Sequence, residues 1–247
     1  MKLTVYFTPL GVTPNAIAGQ PVLVVDVLRT TTTMVAALAH GARAILPAST
    51  AEEALRLAGN LERDTVLLAG ERRMDPIEGF ALGNSPAEMA NGVVRGKTIV
   101  MATTNGTAAV VASEAGSPVL IGAITNFAAA VERAKAAFRE AGAITILCSG
   151  RERMFALEDA YVAGRFAQAL IPSKERRKAE FNDAALAALE LTRRYGDKWK
   201  NAISSSAAAK SLKAAGYKAD VAAATEVDTQ TIVPQYSGRL VTLPDGS

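Results

Sequence analysis

Thr98-Ile-Val-Met-Ala-Thr-Thr-Asn-Gly-Thr-Ala-Ala-Val-Val-Ala-Ser-Glu-Ala-Gly-Ser-Pro-Val-Leu-Ile-Gly122 decides how this chain folds. Residues 98–102 are an apolar run of strand length, followed by a polar turn at 103–107. Residues 107–115 read as a small-residue helix, and 119–122 form a second apolar run. Unbroken apolar strands of this kind are covered on both faces, as in a sheet whose crossovers are helices. The same alternation extends outward. Strands are expected at 3–7, 22–26, 44–46, 66–69 and 144–148, and helices at 31–39, 51–59, 86–91 and 126–141. In the last helix Phe127, Val131, Ala134 and Phe138 share one face and Gly142 supplies the stop. The fold class is therefore α/β, a mostly parallel or mixed sheet layered between helices in three layers.

A charged breaker, Ile171-Pro-Ser-Lys-Glu-Arg-Arg-Lys178, changes the character of the chain. Residues 1–171 are expected to form the core that carries the active-site motifs. Residues 172–247 are expected to form a smaller, mainly helical C-terminal lobe, with helices at 181–195 and 204–215. Returning strands are expected at 232–233 and 239–243.

Composition excludes several function classes. Basic side chains number 27 and acidic ones 24, a formal +3, which is not the clustered basicity of a nucleic-acid binder. No apolar run approaches the roughly 18 residues that span a membrane. The first seven residues read as a strand, with no signal-peptide core. The single cysteine excludes an internal disulfide and fits a reducing cytoplasm. The single histidine, His40, sits at a helix end where a cation suits the dipole. Without a second histidine no histidine metal cluster exists, so acid–base work falls to carboxylates or metal-bound water. Ala-rich helix faces leave a homo-oligomer open.

The polar residues gather where strands end, the place an open α/β sheet keeps its ligands. Residues 22–26 end in Asp26-Val-Leu-Arg29 and four threonines, Thr30 to Thr33. Residues 98–102 end in Thr103-Thr-Asn-Gly-Thr107, and 144–148 in Ser149-Gly-Arg151, with Glu158 and Asp159 shortly after. Residues 66–69 open into Gly70-Glu-Arg-Arg-Met-Asp-Pro-Ile-Glu-Gly-Phe-Ala-Leu-Gly-Asn-Ser-Pro86, longer than most connections in such a fold and too apolar to be disordered. Threonines and acids at helix starts also serve as plain caps. Asp26 resists that reading, because a carboxylate ending an apolar strand is costly to bury without a partner, a metal or a reaction. Helix starts and arginines suit oxyanions, and clustered carboxylates suit Mg²⁺. The implied partner is a small anionic phosphorylated substrate.

Gly92-Val-Val-Arg-Gly-Lys-Thr98 is not a P-loop, being one residue short and placed before a strand. Cys148 lacks the arginine of a cysteine phosphatase, since Met154 stands at the required spacing. Asp26-Val-Leu28 lacks the second aspartate of an Asp-x-Asp phosphatase.

Taken in order, Asp26-Val-Leu-Arg-Thr-Thr-Thr-Thr33, Gly70-Glu-Arg72, Ile77-Glu-Gly-Phe80, Gly83-Asn-Ser-Pro86, Thr103-Thr-Asn-Gly-Thr107, Cys148-Ser-Gly150 and Leu157-Glu-Asp159 resemble the signature blocks of the 2-phosphosulfolactate phosphatase family. The resemblance implies a Mg²⁺-dependent hydrolase releasing phosphate from 2-phospho-3-sulfolactate, of the coenzyme M biosynthesis type. It also implies a family-specific α/β fold with a cleft. Asp26, Arg29, Glu71 and Arg72 would be catalytic, and Asp26, Glu71, Glu78 and Asp159 would hold the metal. Thr31, Thr32, Asn84, Ser85, Thr103, Thr104, Asn105, Gly106, Thr107, Ser149, Gly150 and Arg151 would bind substrate. Two positions depart from the pattern: Ala81 stands where the family usually has aspartate, and Thr30 where it often has alanine. The alternatives are a phosphatase of another small phospho-acid and an inactive anion-binding protein.

Overall fold

The computed structural model describes residues 1–244. The N-terminal run is β1 (Lys2–Tyr6), α1 (Pro14–Ile17), β2 (Val22–Val25), α2 (Thr30–Ala39), β3 (Ala44–Ala48) and α3 (Ala51–Ala58). Next come β4 (Val66–Arg72), β5 (Asp75–Pro76), β6 (Thr98–Ala102), α4 (Gly106–Ala112), β7 (Val119–Gly122), α5 (Phe127–Ala141), β8 (Ala143–Cys148) and α6 (Leu157–Leu170). The chain closes with β9 (Glu180–Phe181), α7 (Asp183–Tyr195), α8 (Trp199–Ser205), α9 (Ala207–Ala214), α10 (Lys218–Ala223), β10 (Gln235–Ser237) and β11 (Leu240–Thr242).

The strands form one mixed, eleven-stranded sheet in the order β5-β4-β6-β3-β11-β10-β7-β2-β8-β1-β9. Two parallel half-sheets, β4-β6-β3 and β7-β2-β8-β1-β9, are joined by the antiparallel β10–β11 hairpin. Three successive antiparallel steps, β3–β11, β11–β10 and β10–β7, reverse the chain direction between the halves. Sheet twist of about 20–25° per step accumulates to roughly 100–125° from β6 to β2. That rotation turns back much of the reversal and lets strand ends from both halves meet.

Alternation along β2 shows why its apolar run is unbroken. Val22 and Val24 pack with Met34, Val35 and Val110, while Leu23 and Val25 point to the opposite core with Phe138, Tyr161 and Phe166. A smaller third core lies under α3. The expected stop of α5 is present, with Gly142 left-handed at φ 71°. The C-terminal helices share a core with the first strand, Ala185, Leu189 and Trp199 packing in one cluster with Leu3 and Val5. No helix among the described residues is long and apolar enough to cross a membrane.

Several element expectations need correction. The helix expected at 204–215 is two helices, because the Ser206 hydroxyl accepts the Ala209 amide at 3.1 Å and caps a new start. Residues 232–233 form no ladder. The Ile232 carbonyl is taken by Asn126 Nδ2, and the sheet hairpin begins after Pro234, which has no amide to donate. The helix expected at 86–91 is a single 3₁₀ turn, Pro86–Met89, ended by extended Ala90.

Candidate active site

The β2–α2 turn builds the floor. Asp26 is 4% exposed, and its Oδ1 accepts the Thr30 amide at 3.2 Å. The Thr31 hydroxyl donates to the Asp26 carbonyl at 2.8 Å and accepts the Asp26 amide at 3.0 Å. Thr32 donates to the Val27 carbonyl, and Thr33 to the Asn84 carbonyl. These hydroxyls satisfy a tight turn, so Thr31 and Thr32 act on the backbone and Thr30 alone of the four lines the cavity.

Three further strand ends lock onto this floor. After β6, the Thr103 hydroxyl accepts the Thr107 amide at 3.1 Å and the Thr107 hydroxyl accepts the Thr103 amide at 3.2 Å, a reciprocal cap that starts α4. Gly106 then sits so close that a Cβ would lie 2.2 Å from both Asp26 Oδ2 and Thr30 Oγ1. After β8, Asp159 gathers three donors: the Val27 amide at 2.9 Å, the Ser149 hydroxyl at 3.0 Å and the Gly150 amide at 3.1 Å. One carboxylate on the first turn of α6 thereby ties β2 to β8.

The long 70–86 connection is ordered by its own backbone. β4 runs on through Arg72 and turns at Arg73 and Met74, both left-handed at φ 53° and 78°, into β5. Non-glycine residues adopt that conformation only when their surroundings hold them there. Here Glu71 Oε2 accepts the Met74 amide at 2.7 Å and Thr104 Oγ1 accepts the Arg73 amide at 3.0 Å. Glu71 also takes the Thr104 amide at 2.8 Å and hydroxyl at 3.0 Å. Leu82 then returns alongside β4, donating to the Leu68 carbonyl and accepting the Gly70 amide.

A cavity of about 250 Å³ opens where these pieces meet. Its walls hold five carboxylates, Asp26, Glu71, Glu152, Glu158 and Asp159, and three arginines, Arg29, Arg73 and Arg151. Of the residues assigned to substrate, Asn84, Thr104, Asn105 and Gly150 also line it, whereas Ser85, Thr103, Gly106, Thr107 and Ser149 stand behind the wall. The Asn84 Oδ1 is buried without a hydrogen-bond partner. Two expected residues are not brought to the cavity. Arg72 and Glu78 are exposed and face outward. Strand side chains alternate, so Glu71 pointing inward sends Arg72 out, and the turn brings Arg73 to the rim instead. Glu158, noted at its strand end but given no role, lines the cavity, as do Arg73, Glu152 and, from α9, Ala208 and Leu212, none of which was expected there. The arginine pair offered a signal for Arg73; the small and apolar α9 residues offered none.

The electrostatics are those of a desolvated acidic floor. Burial raises Asp26 to about 6, against the lowering effect of the Ser149 and Thr30 hydrogen bonds, and Glu71 adds to the rise. Asp159 is pushed well above the usual carboxylate range by burial and then by Asp26 and Glu158. Glu158 is also raised, chiefly by burial, with Arg151 pulling the other way. The buried Cys148 thiol behind them is raised by burial and by the same acids.

The model of the family described as 2-phosphosulpholactate phosphatase matches residues 6–239. The chain belongs to that family. A probable 2-phosphosulfolactate phosphatase of Caldanaerobacter subterraneus subsp. tengcongensis is 33% identical over 241 residues, covering 98% of each chain. A protein of the same name from Thermus thermophilus is 40% identical over 220 residues, 89% of each chain. One from Deinococcus radiodurans is 38% identical over 213 residues, 86% of this chain and 85% of its own. Within this member of the 2-phosphosulfolactate phosphatase family, the departure at position 81 falls away from the acidic cavity. Ala81 is exposed and lines a separate surface depression with Leu55, Val66 and Leu68. The Thr30 departure falls inside the cavity, where its hydroxyl reaches Thr103 Oγ1 at 3.2 Å.

For a metal, no three His, Cys, Asp or Glu side chains among the described residues form a ready-made ligand set. Mg²⁺ is commonly held by one or two carboxylates together with phosphate oxygens and water. Asp26 and Asp159 lie buried in one acidic cluster and have the donor chemistry for that arrangement, Asp159 keeping lone pairs for a cation beyond the three donors it already accepts. Glu71 is engaged in holding the Arg73–Met74 turn, and Glu78 is outside.

Proposed function

We propose that this chain is a phosphoric monoester hydrolase that converts 2-phospho-3-sulfolactate into 3-sulfolactate and phosphate, with Mg²⁺ as cofactor. The observation that carries the reading is a small cavity in which buried acids with raised pKa share the walls with three arginines. A three-carbon ligand bearing phosphate, carboxylate and sulfonate has one anionic group for each guanidinium, and arginine forks onto such groups. Bound at Asp26 and Asp159, Mg²⁺ would neutralise charge on the transferring phosphoryl group.

The protein's own groups divide the remaining work. Arg29, 4% exposed at the end of the β2 turn, holds phosphoryl oxygens. Arg151, which donates to Ser211 Oγ at 3.1 Å, and Arg73 on the rim hold the carboxylate and sulfonate. Ionised Asp26 either attacks phosphorus and displaces the sulfolactate oxygen, which leaves with a proton from water, giving an acyl phosphate that a second water hydrolyses, or takes the proton of a water that attacks phosphorus and displaces the same oxygen. Rapid-quench trapping of radiolabelled phosphate on Asp26 separates these routes. The product suits the coenzyme M route implied by the family, and the buried lone thiol suits a cytoplasmic setting.

The test is phosphate release from 2-phospho-3-sulfolactate, phospholactate and phosphoglycolate, with Mg²⁺ and with chelator. Preference for the sulfonated substrate and loss of turnover with chelator are expected. Equal or better turnover of phospholactate overturns the assigned substrate, and release from none of the three overturns the phosphatase reading.

A further inference from the structure

Arg29 is the one cavity arginine whose side chain is fully embedded, and what embeds it comes from the far end of the chain. Its Nη1 donates to Asp220 Oδ2 at 2.7 Å, with both side chains buried. The guanidinium carbon lies 4.3 Å from the ring centre of Tyr217. Nη2 reaches the Met74 carbonyl at 3.4 Å. The other oxygen of Asp220 is not idle: it accepts the Ser85 hydroxyl at 2.7 Å. Asp220 and Tyr217 belong to α10 and the residue before it, and neither lines the cavity, whereas Arg29 does.

A guanidinium is a planar fork with five donors. Contact with an aromatic face fixes its plane, and a carboxylate on one edge fixes its rotation about that plane. The donors left over are then aimed without loss of freedom on binding. The chain reaches this arrangement through three remote pieces: the β2–α2 turn, the 83–86 segment and α10. Ser85 holds Asp220, Asp220 holds Arg29, and Arg29 faces the cavity.

We propose that Asp220 and Tyr217 are positioning residues that pre-set the Arg29 guanidinium for the phosphoryl oxygens, so that α10 completes the active site without touching substrate. The inference rests on the phosphatase reading given above. It assigns work to a segment whose sequence carries none of the family's signature blocks. A buried carboxylate behind the arginine also keeps the cavity from holding its anion too tightly before reaction. Loss of Asp220 therefore acts on turnover more than on binding.

Steady-state phosphate release by the full-length protein tests this, using Asp220→Asn, Arg29→Ala and the double variant. Asp220→Asn is expected to lower kcat by about 10- to 100-fold with little rise in KM, the size of effect that misplacing a reacting group produces. In the Arg29→Ala background the same substitution is expected to cost nothing further. Full additivity in the double variant overturns the proposal, since a merely structural Asp220 would act regardless of Arg29. If Asp220→Asn fails to fold, Tyr217→Leu replaces it. That variant is expected to lower kcat, Tyr217→Phe is expected to restore most of the loss by keeping the ring face, and equal rates for the two overturn the proposal. Wild-type protein that releases no phosphate overturns the phosphatase reading instead. The clamp is then decided by calorimetric binding of inorganic phosphate to the same variants. Non-additive affinities support it and additive ones overturn it.

Discussion

Asp26 and Glu71 line the same cavity and are both buried, yet their surroundings treat them in opposite ways. Glu71 has three strong donors at 2.7 to 3.0 Å, from Thr104 and Met74. Asp26 receives one backbone amide, at 3.2 Å, and burial holds it near 6 against that bond and the Ser149 and Thr30 hydroxyls. A carboxylate whose oxygens are spent on backbone amides has become part of the scaffold. One left short of donors stores an unmet demand for a proton, a cation or a reacting atom. The difference separates two residues that look equally catalytic in a sequence, and it can be broken at either end.

The largest expected effect is on rate. Asp26→Asn keeps the shape of the side chain and one acceptor oxygen for the Thr30 amide but removes the ionised form. Phosphate release should fall by about 10²- to 10⁴-fold, the span that loss of a reacting acid or base produces. Glu71→Gln should retain far more turnover, because it removes charge from a scaffold group rather than a reacting one. Equal losses in the two variants would erase the distinction.

Stability should move the other way. With Asp26 raised from 3.8 to about 6 in the folded protein, the native state binds that proton more tightly than the unfolded chain. The contribution is fully present below about pH 4 and is lost as pH rises through about 6, leaving a penalty on the order of 3 kcal/mol at neutral pH. Asp26→Asn should therefore melt higher than wild type at pH 8, with the gap closing as pH falls from 6 to 4. Added Mg²⁺ should narrow the same gap if it binds the ionised carboxylate. A pH-independent difference in melting temperature would count against a desolvated Asp26.

Glu71→Ala strikes the scaffold side. It strands the Met74 and Thr104 amides and releases the left-handed turn at Arg73 and Met74. A cost of roughly 2–3 kcal/mol follows from unpaired buried donors that had faced a charge. For a chain of this size that is a drop of roughly 5–10 °C in Tm, which thermal denaturation followed by circular dichroism would read.

The strands and the polar turns were legible because their signals are local. Residues 98–102 and 119–122 fall where the apolar runs place them, and Asp26 stands at the strand end where its cost made it conspicuous. The joining of two half-sheets through β10–β11 was not legible, since each pairing links segments far apart in the chain. Nor was the contribution of α9 and α10. Leu212, Tyr217 and Asp220 are ordinary helix-region residues until folding carries them to the cavity or behind Arg29. The departure at Ala81 does not bear on the cavity for a related reason: Asn84, three residues on, lines it, but Ala81 itself lies on the outer surface.

The smallest effects should come from the residues that the pattern of charges made most tempting. Arg72 is adjacent to Glu71, and Glu78 lies in the same connection, yet both point to solvent. Exposed substitutions away from caps and networks change stability by no more than about 0.5 kcal/mol. Arg72→Ala and Glu78→Gln should therefore leave Tm and kcat/KM close to wild type. Arg73→Ala should raise KM for the trianionic substrate, because its side chain lines the cavity rim. That contrast depends only on the two-residue period of β4 and the turn after it. If Arg72→Ala proved the more damaging of the two, β4 would have to be shifted by one residue, and Glu71 would then lose its three donors together with its place in the scaffold.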